Sequence, residues 1–502
     1  MTRGTKLKLN MLTTIIYQIV SIVSGFILPR FFLRYYGSEV NGLVSSITQF
    51  LAVITLCECG VGAVVQTALF KPIAENDEKE ISRIYKSSTK FFNKIAIILI
   101  VYTAVLVFAY PHIVNKSFDT LYTGVLIITL SISLLAQYYF AITYKLILNA
   151  AQLIYIQMIV STVSLVLNVV ISIVLMYMGM SIQIVKLASA GIFVLQPLVY
   201  KYAVDHRFNI DRNIVLNEEP IKQKWNGLAQ HLATVILENT DVLVLTFFST
   251  LSSVSVYSVY HMVTNGIKLL FTSLANSVKS LLGDMYARNE MTQLNKTFSR
   301  FEWAFHSVVT LIYSICAVLI VPFITVYTDK ITDANYKLPL FGVVMCIAMA
   351  IYCIRLPYNQ MVMAAGHFKQ TQNSAIIEAI LNLTISIAVV YRFGLIGVAL
   401  GTLIAVLYRT VYLAVYLSKY ILKRNILIFL KRCLKDCVIA AVIYISTKWI
   451  NMTEVSYVAW FIMAVKVGII SVAECVLLNL ILDKKEFKSM VEKMSGRKSL
   501  ES

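Results

Sequence analysis

The stretch VVMCIAMAIYCIRLPYNQMVMAAG, from Val343 to Gly366, decides the fold class. A helix of about 20 apolar residues crosses the roughly 30 Å hydrocarbon core of a bilayer, and this stretch is long enough. Arg355 is its only charged side chain. A charge at that depth costs about 2.5–3.5 kcal/mol on insertion scales, so Arg355 is expected to face protein or water. The stretch therefore predicts a membrane helix in which one guanidinium group has a specific partner.

The rest of the chain has the same character. Its 502 residues are 58% hydrophobic and only 14% charged, with a mean hydropathy of +0.75, unlike soluble domains. Because each span must satisfy its backbone hydrogen bonds internally, we predict an all-α integral membrane protein. About fourteen spans are predicted, at 10–30, 42–66, 91–113, 121–146, 153–178, 182–204, 227–248, 254–279, 303–327, 338–364, 372–391, 395–418, 433–451 and 455–482.

The basic residues predict the orientation. Lysine and arginine are concentrated before the first span, in alternate connections such as 67–90 and 419–432, and in the tail, all on one side. By the positive-inside rule both termini are cytoplasmic. The formal net charge of +18 is then mostly a topology signal. Nucleic acid is not expected as a partner, because the basic residues are spread over many loops without an aromatic platform.

A weak internal repeat predicts the domain organisation. Phe31–Val44 can be laid on Phe247–Tyr260, and an even number of spans separates the two copies. If the match is not due to chance, the halves are parallel repeats with a site between them near the midplane. We predict an N-terminal lobe, a cytoplasmic linker, a C-terminal lobe, a basic loop, two further spans and a basic tail, at 1–205, 206–225, 226–420, 421–432, 433–482 and 483–502.

Polar side chains follow one face of each of two neighbouring spans, at spacings of three or four residues. These faces are expected to line a wet cavity, bordered by the first, second, seventh and eighth spans. They comprise His231, Thr234, Glu238 and Asp241 on the seventh span and Asn265, Lys268, Thr272, Asn276 and Lys279 on the eighth.

Each of these charges also has a structural interpretation. Glu238, Asp241, Lys268 and Arg355 are alternatively interhelical ion pairs that only hold the bundle together. Arg30 is alternatively a side chain that snorkels from a helix end. Glu58 and Glu378 are alternatively partly exposed near the cytoplasmic interface.

Several longer stretches carry a family resemblance. They are LPRFFLRYYGSEVNGLVSSI (28–47), ECGVGAVVQTALFKPIAEND (58–77), LENTDVLVLTFF (237–248), VYSVYHMV (256–263), IRLPYNQMVMAAGHFKQTQNSAIIEAILNLTISI (354–387) and FGLIGVALGTLIAVLYRTVY (393–412). Over nearly the whole chain these resemble polysaccharide-biosynthesis flippases of the Wzx type, in the multidrug/oligosaccharidyl-lipid/polysaccharide exporter superfamily. The resemblance implies two six-helix lobes around a central cavity with extra C-terminal helices. It also implies transfer of an undecaprenyl-diphosphate-linked oligosaccharide from the cytoplasmic to the outer leaflet of the bacterial cell membrane.

The resemblance and the charges together suggest a substrate site. Related peptidoglycan-precursor flippases carry cavity arginines on their first two helices; Arg30 matches the first, but the second offers Glu58 instead. Arg355, Lys268 and Arg30 are expected to bind the diphosphate. Among the residues expected to line the cavity for the sugars are Asn265, Asn276 and Tyr17. The residues expected to balance charge or to bind a coupling proton or sodium ion are Glu238, Asp241, His231 and Glu58.

Other functional classes have less support. A drug or metabolite antiporter, or a lipid II-type flippase, shares the architecture. A membrane polymerase or glycosyltransferase is disfavoured because the outward loops are short. No phosphate-binding Walker loop occurs in the sequence, so ATP is not expected to drive transport directly. We therefore expect a transporter without catalytic residues, metal or bound cofactor. Its expected partners are the lipid-linked substrate, the bilayer, and the polymerase and glycosyltransferases of the same pathway.

Overall fold

The computed structural model describes residues 3–58, 61–114, 118–215, 228–484 and 486–487, and within these ranges all regular secondary structure is helical. Nine helices in the described ranges are long and apolar enough to cross a membrane. The predicted all-α multi-pass membrane protein is confirmed, whereas the count of fourteen spans stays a prediction. The α-helices are α1 Arg3–Ala52, α2 Val61–Glu75, α3 Glu78–Ile113, α4 Thr120–Ala136, α5 Ile142–Ala150, α6 Ile154–Tyr177, α7 Ile182–Asp205, α8 Leu228–Phe248, α9 Leu251–Ala287, α10 Met291–Tyr327, α11 Pro339–Ala364, α12 Phe368–Tyr416, α13 Leu427–Thr447 and α14 Tyr457–Leu482.

Two of these helices continue from one predicted span into the next through a glycine. The backbone of α1 breaks at Gly37 (φ 81°, ψ 175°), and that of α12 breaks at Gly394 (φ 53°, ψ −127°). Residues with a Cβ atom rarely adopt such angles, so glycine is required at both positions. Each break lets two consecutive spans follow one another almost without a loop.

The chain packs as two compact units, the first of which is Met1–Ser255. In this unit α1 packs against α6 and α8. Neutral polar groups join its helices: Ser46 Oγ lies 2.7 Å from Thr246 Oγ1, and the Tyr110 hydroxyl donates to Ser46 Oγ at 2.7 Å. Such contacts between helices in a membrane contribute about 0.6–2 kcal/mol each.

The second unit is Val256–Ser502, and α10 is its central helix. It packs against α11, α13 and α14, while α11 packs against α12. The two halves of α12 lie side by side, since Asn382 Nδ2 donates to Thr402 Oγ1 at 2.9 Å across the break. Met463 and Val467 of α14 pack with Leu319 of α10, so the last predicted spans are docked on this unit.

Packing places α8, the predicted seventh span, in the first unit. The lobes predicted from the sequence, with a linker at 206–225, and the central cavity between them stay predictions. Most of the predicted basic tail, residues 485 and 488–502, lies outside the described residues, as do residues 216–227 of the linker region.

Candidate functional site

The guanidinium group of Arg355 faces a carboxylate. Arg355 on α11 is 5% exposed, and its Nη1 donates to Oε1 of Glu378 on α12. Arg409, also on α12, donates from Nη1 to the other oxygen of Glu378 at 2.7 Å. The break at Gly394 makes this possible because it folds the second half of α12 back along the first. We call Arg355, Glu378 and Arg409 the Glu378 cluster.

The Glu378 cluster holds one carboxylate between two arginines. Glu378 is 1% exposed and Arg409 is 4% exposed, so all three groups are withdrawn from water. Within the part of the chain that the structure describes, Nε of Arg409 is buried without a hydrogen-bond partner. A buried ion pair is stable only when its remaining donors find acceptors. The cluster therefore has one positive charge in excess, and Nε of Arg409 is a donor that no group in the described residues accepts.

Lys268 of α9 lies beside this cluster. Its Nζ is 5.1 Å from the ring centroid of Tyr352, and Cζ of Arg355 is 4.4 Å from the centroid of the same ring. Lys268 is 9% exposed. Tyr352, one turn before Arg355 on α11, thus makes cation–π contacts with two of the three cations that are predicted to bind the diphosphate. Lys268 and Arg355 therefore lie close to one aromatic ring, and their role in substrate binding stays a prediction.

Of the two interpretations of Glu378, the structure supports a side chain that faces protein. The alternative was a partly exposed position near the cytoplasmic interface, whereas the side chain is buried at the centre of an ion cluster. The physical reason is that two arginines far from it along the chain converge on it, a contact that helical periodicity within one span does not report. Glu238 and Asp241 were expected to pair with Arg355; its carboxylate partner is Glu378.

The remaining residues predicted for the cavity lie in both units. In the second unit Asn265 is half-buried on α9, and Asn276 Oδ1 accepts from Gln360 Nε2 at 2.8 Å. In the first unit Tyr17 and Arg30 are half-buried on α1. Their roles stay predictions.

The four residues predicted to balance charge all belong to the first unit. Glu58 accepts a hydrogen bond from the hydroxyl of Tyr138. Asp241 is 5% exposed on α8, whereas Glu238 is exposed. The side chain of His231 lies outside the described residues. Their predicted role in ion coupling stays a prediction.

A second buried ion cluster was not predicted from the sequence. Glu302 of α10 is fully buried and accepts two hydrogen bonds from Arg424, at 2.5 and 2.7 Å. Arg432 of α13 reaches the same carboxylate at 2.8 Å, and the hydroxyl of Tyr358 on α11 donates to it at 2.5 Å. We call Glu302, Arg424, Arg432 and Tyr358 the Glu302 cluster. The sequence feature that could have pointed to this cluster is Glu302 itself, a charged residue directly before the predicted span 303–327.

Further buried polar contacts extend the Glu302 cluster towards the C-terminus. His306 Nδ1 lies 2.5 Å from Asp436 Oδ2 and its Nε2 lies 3.0 Å from the hydroxyl of Tyr358. Lys435 Nζ lies 2.5 Å from Asp483 Oδ2, which also accepts from Trp303 Nε1 at 3.0 Å. These contacts attach α13 and the end of α14 to α10.

No protein-family model matches the chain, and no curated protein matches it. Solved structures do match. The lipid II flippase MurJ in an inward closed conformation gives a TM-score of 0.69 at 16% identity, over 96% of this chain and 99% of that chain. An inward-facing multidrug resistance MATE family transporter of the MOP superfamily gives 0.61 at 14%, over 82% of this chain and 96% of that chain. The Vibrio cholerae MATE transporter VcmN in its bent form gives 0.56 at 14%, over 83% and 97%. At these identities the similarity is one of fold, and this chain has the fold of the MOP-superfamily transporters.

Proposed function

We propose that this protein is a flippase that moves undecaprenyl-diphosphate-linked oligosaccharide units from the cytoplasmic to the outer leaflet of a bacterial cell membrane, for surface polysaccharide synthesis. Both termini would lie in the cytoplasm. The protein would be a transporter and not an enzyme, and glycosyltransferases and a polymerase of the same pathway would supply and consume its substrate. The fold shared with transporters supports the general class.

The Glu378 cluster is the observation that carries the proposal. A lipid diphosphate bears negative charge that cannot enter about 30 Å of hydrocarbon without replacement of its hydration. The cluster contains two arginines for one carboxylate. If a diphosphate oxygen takes the place of Glu378 at Arg355, each guanidinium still has one anionic acceptor, so the exchange leaves no buried charge unpaired. Arginine suits this role because its planar fork binds phosphate oxygens in pairs.

The other residues would serve the same substrate. Lys268 shares the ring of Tyr352 with Arg355 and would contribute to phosphate binding, with Arg30 as a third cation. Asn265, Asn276 and Tyr17 would bind sugar hydroxyls. Glu238, Asp241, His231 and Glu58 would balance charge or bind a coupling proton or sodium ion.

The membrane potential is an alternative energy source. An inside-negative potential favours outward movement of a negative headgroup by about 2.3 kcal/mol per charge per 100 mV. Flipping by reconstituted protein at a clamped potential is therefore expected to persist without a proton or sodium gradient. Loss of flipping under these conditions would assign Glu238 and Asp241 to the coupling ion instead.

A second candidate is an ion-coupled drug or metabolite antiporter, which the similarity to MATE structures favours. Two buried arginines on one carboxylate disfavour a cationic drug, because they would repel it. A lipid II-type flippase is closer in chemistry, since its substrate is also a lipid-linked diphosphate.

The discriminating experiment is deletion of the gene followed by analysis of lipid-linked intermediates. We expect a lipid-linked oligosaccharide to accumulate in the cytoplasmic leaflet. An antiporter predicts no accumulation, a polymerase predicts accumulation in the outer leaflet, and a lipid II-type flippase predicts accumulation of the peptidoglycan precursor.

A further inference from the structure

The first unit contains a cavity of about 210 Å³ between α7 and the segment that joins α4 to α5. It is formed within this unit and contains none of the residues of the Glu378 cluster. Its polar lining consists of Ser133, Gln137, Lys145 and Gln196. Polar and charged groups on membrane helices are costly and usually functional, so this concentration of them in a cavity calls for a ligand.

The backbone is irregular on both sides of this cavity. On one side, residues Gln137–Ala141 form a π-helical turn, in which the Ile142 N–H donates to the Gln137 carbonyl. On the other side, Pro197 interrupts the hydrogen bonds of α7, because proline has no N–H to donate to the carbonyl of Phe193. At membrane depth, irregular backbone is tolerated where it is buried or lines a cavity, and π-turns are frequent at functional sites.

Tyr200 of α7 orients the polar groups of the cavity. It is fully buried, and Lys145 Nζ lies 5.6 Å from its ring centroid. Its hydroxyl lies 3.5 Å from Gln196 Oε1 and 3.3 Å from Ser161 Oγ, and the amide group of Gln196 belongs to the cavity lining. No carboxylate is among the described residues that line it. A cation with neighbouring amide donors and no counter-charge favours an anion.

The position and size of the cavity limit the ligand. Lys145 is about 8 Å from the end of α5 at Ala150, since a helix rises 1.5 Å per residue. Lys145 also lies at the end of the predicted span 121–146, so we expect its ammonium group to be within reach of lipid headgroups. A volume of about 210 Å³ is below the roughly 300–1,000 Å³ of sites for drug-sized ligands. It suits a single phosphate group and a small hydroxylated substituent.

We propose that this cavity binds the phosphate headgroup of an anionic membrane lipid. Lys145 pairs with the phosphate, and Gln137, Gln196 and Ser133 bind the hydroxyls of the headgroup. The site is separate from the proposed substrate site and does not depend on the proposed function.

The test is lipid binding by the purified, delipidated full-length protein, measured by native mass spectrometry with phosphatidylglycerol, phosphatidylethanolamine or inorganic phosphate. We expect a saturable phosphatidylglycerol site in the wild type. Lys145→Gln should weaken it about tenfold or more, because a charge-assisted hydrogen bond is lost. The matched control is Lys186→Gln. Lys186 also makes a cation–π contact, with Nζ 4.0 Å from the ring centroid of Phe32, but it does not line the cavity. Its replacement should not change the affinity for phosphatidylglycerol.

Several outcomes would overturn the proposal. Equal affinity for phosphatidylglycerol and phosphatidylethanolamine would show that the site does not require an anionic headgroup. Equal affinity for inorganic phosphate would show that the ligand is a free anion and not a lipid. Equal losses in Lys145→Gln and Lys186→Gln would indicate a general effect of net charge. If Lys145→Gln does not fold, Gln196→Leu keeps the cation and should still weaken phosphatidylglycerol binding; unchanged binding by that variant would contradict the site.

Discussion

The two ion clusters of the second unit have the same composition at their centres but differ in how fully their donors are used. Each places two arginines on one buried glutamate. In the Glu302 cluster, Arg424 binds the carboxylate with two nitrogens, and Arg432 also donates to the backbone and hydroxyl oxygens of Ser299 at 2.9 and 2.7 Å. In the Glu378 cluster, Arg355 and Arg409 each reach the carboxylate through Nη1 alone.

On our proposal, this difference separates a structural role for the Glu302 cluster from a binding role for the Glu378 cluster. The Glu302 cluster joins α10 and α11 to the segment that begins the C-terminal helices. Its arginines make more hydrogen bonds within the protein than those of the Glu378 cluster, although Nε of Arg424, like Nε of Arg409, is buried without a partner among the described residues. The Glu378 cluster lies beside a further cation, Lys268, and keeps donors that a phosphate can use. Buried ion pairs are poor indicators of stability by themselves. The candidate site is distinguished by the single-nitrogen contact of each arginine with Glu378 and by the neighbouring Lys268, and not by the charges alone.

The largest effect should follow from removal of either glutamate. Glu378→Gln leaves Arg355 and Arg409 close together without a carboxylate, and Glu302→Gln does the same to Arg424 and Arg432. Breaking a buried charge cluster in this way costs about 3–5 kcal/mol. Both variants should therefore have a much lower melting temperature in detergent than the wild type. Arg355→Gln is the matched control, because Glu378 keeps Arg409 as its partner. Equal stability of Glu378→Gln and Arg355→Gln would show that the carboxylate does not hold the cluster together.

A smaller effect, confined to one cluster, should follow from Gly394→Ala. A side chain at φ 53°, ψ −127° introduces strain of about 1–3 kcal/mol and moves the half of α12 that carries Arg409. Transport should fall together with stability, and the Glu302 cluster should be unaffected. The matched control is Gly468→Ala of α14, because a Cβ atom meets nothing within 4 Å at either glycine and only Gly394 has a positive φ. The measurement is the melting temperature of the three proteins, and equal values for Gly394→Ala and wild type would show that the break tolerates a side chain.

The smallest effect should follow from Tyr352→Leu, which removes the ring shared by Lys268 and Arg355 but keeps both charges. Cation–π contacts are worth about 0.5–2 kcal/mol, so the apparent affinity for the lipid-linked substrate should fall by about two- to thirtyfold. Tyr352→Phe should retain most of the affinity. A Tyr352→Leu protein with wild-type affinity would show that the ring does not order the cations.

Sequence alone predicted the class of fold because hydropathy reports it directly: each long apolar window requires a helix. It also singled out Arg355 and Lys268 as charges within apolar spans, and both side chains are buried. It did not assign Glu378 to Arg355, because that contact depends on the break at Gly394 and on the packing of α11 against α12. The Glu302 cluster was missed for a related reason, as its arginines lie in a basic segment that the positive-inside rule already explained.

The most direct test of the central claim compares Arg355→Gln with Arg424→Gln in a complementation assay for surface polysaccharide, normalised to the amount of protein in the membrane. We predict that Arg355→Gln abolishes export at wild-type abundance and that Arg355→Lys, which keeps the charge but loses the bidentate fork, retains part of it. Arg424→Gln should lower abundance without lowering export per molecule. Full export by a stable Arg355→Gln protein would contradict the claim that the Glu378 cluster binds the diphosphate.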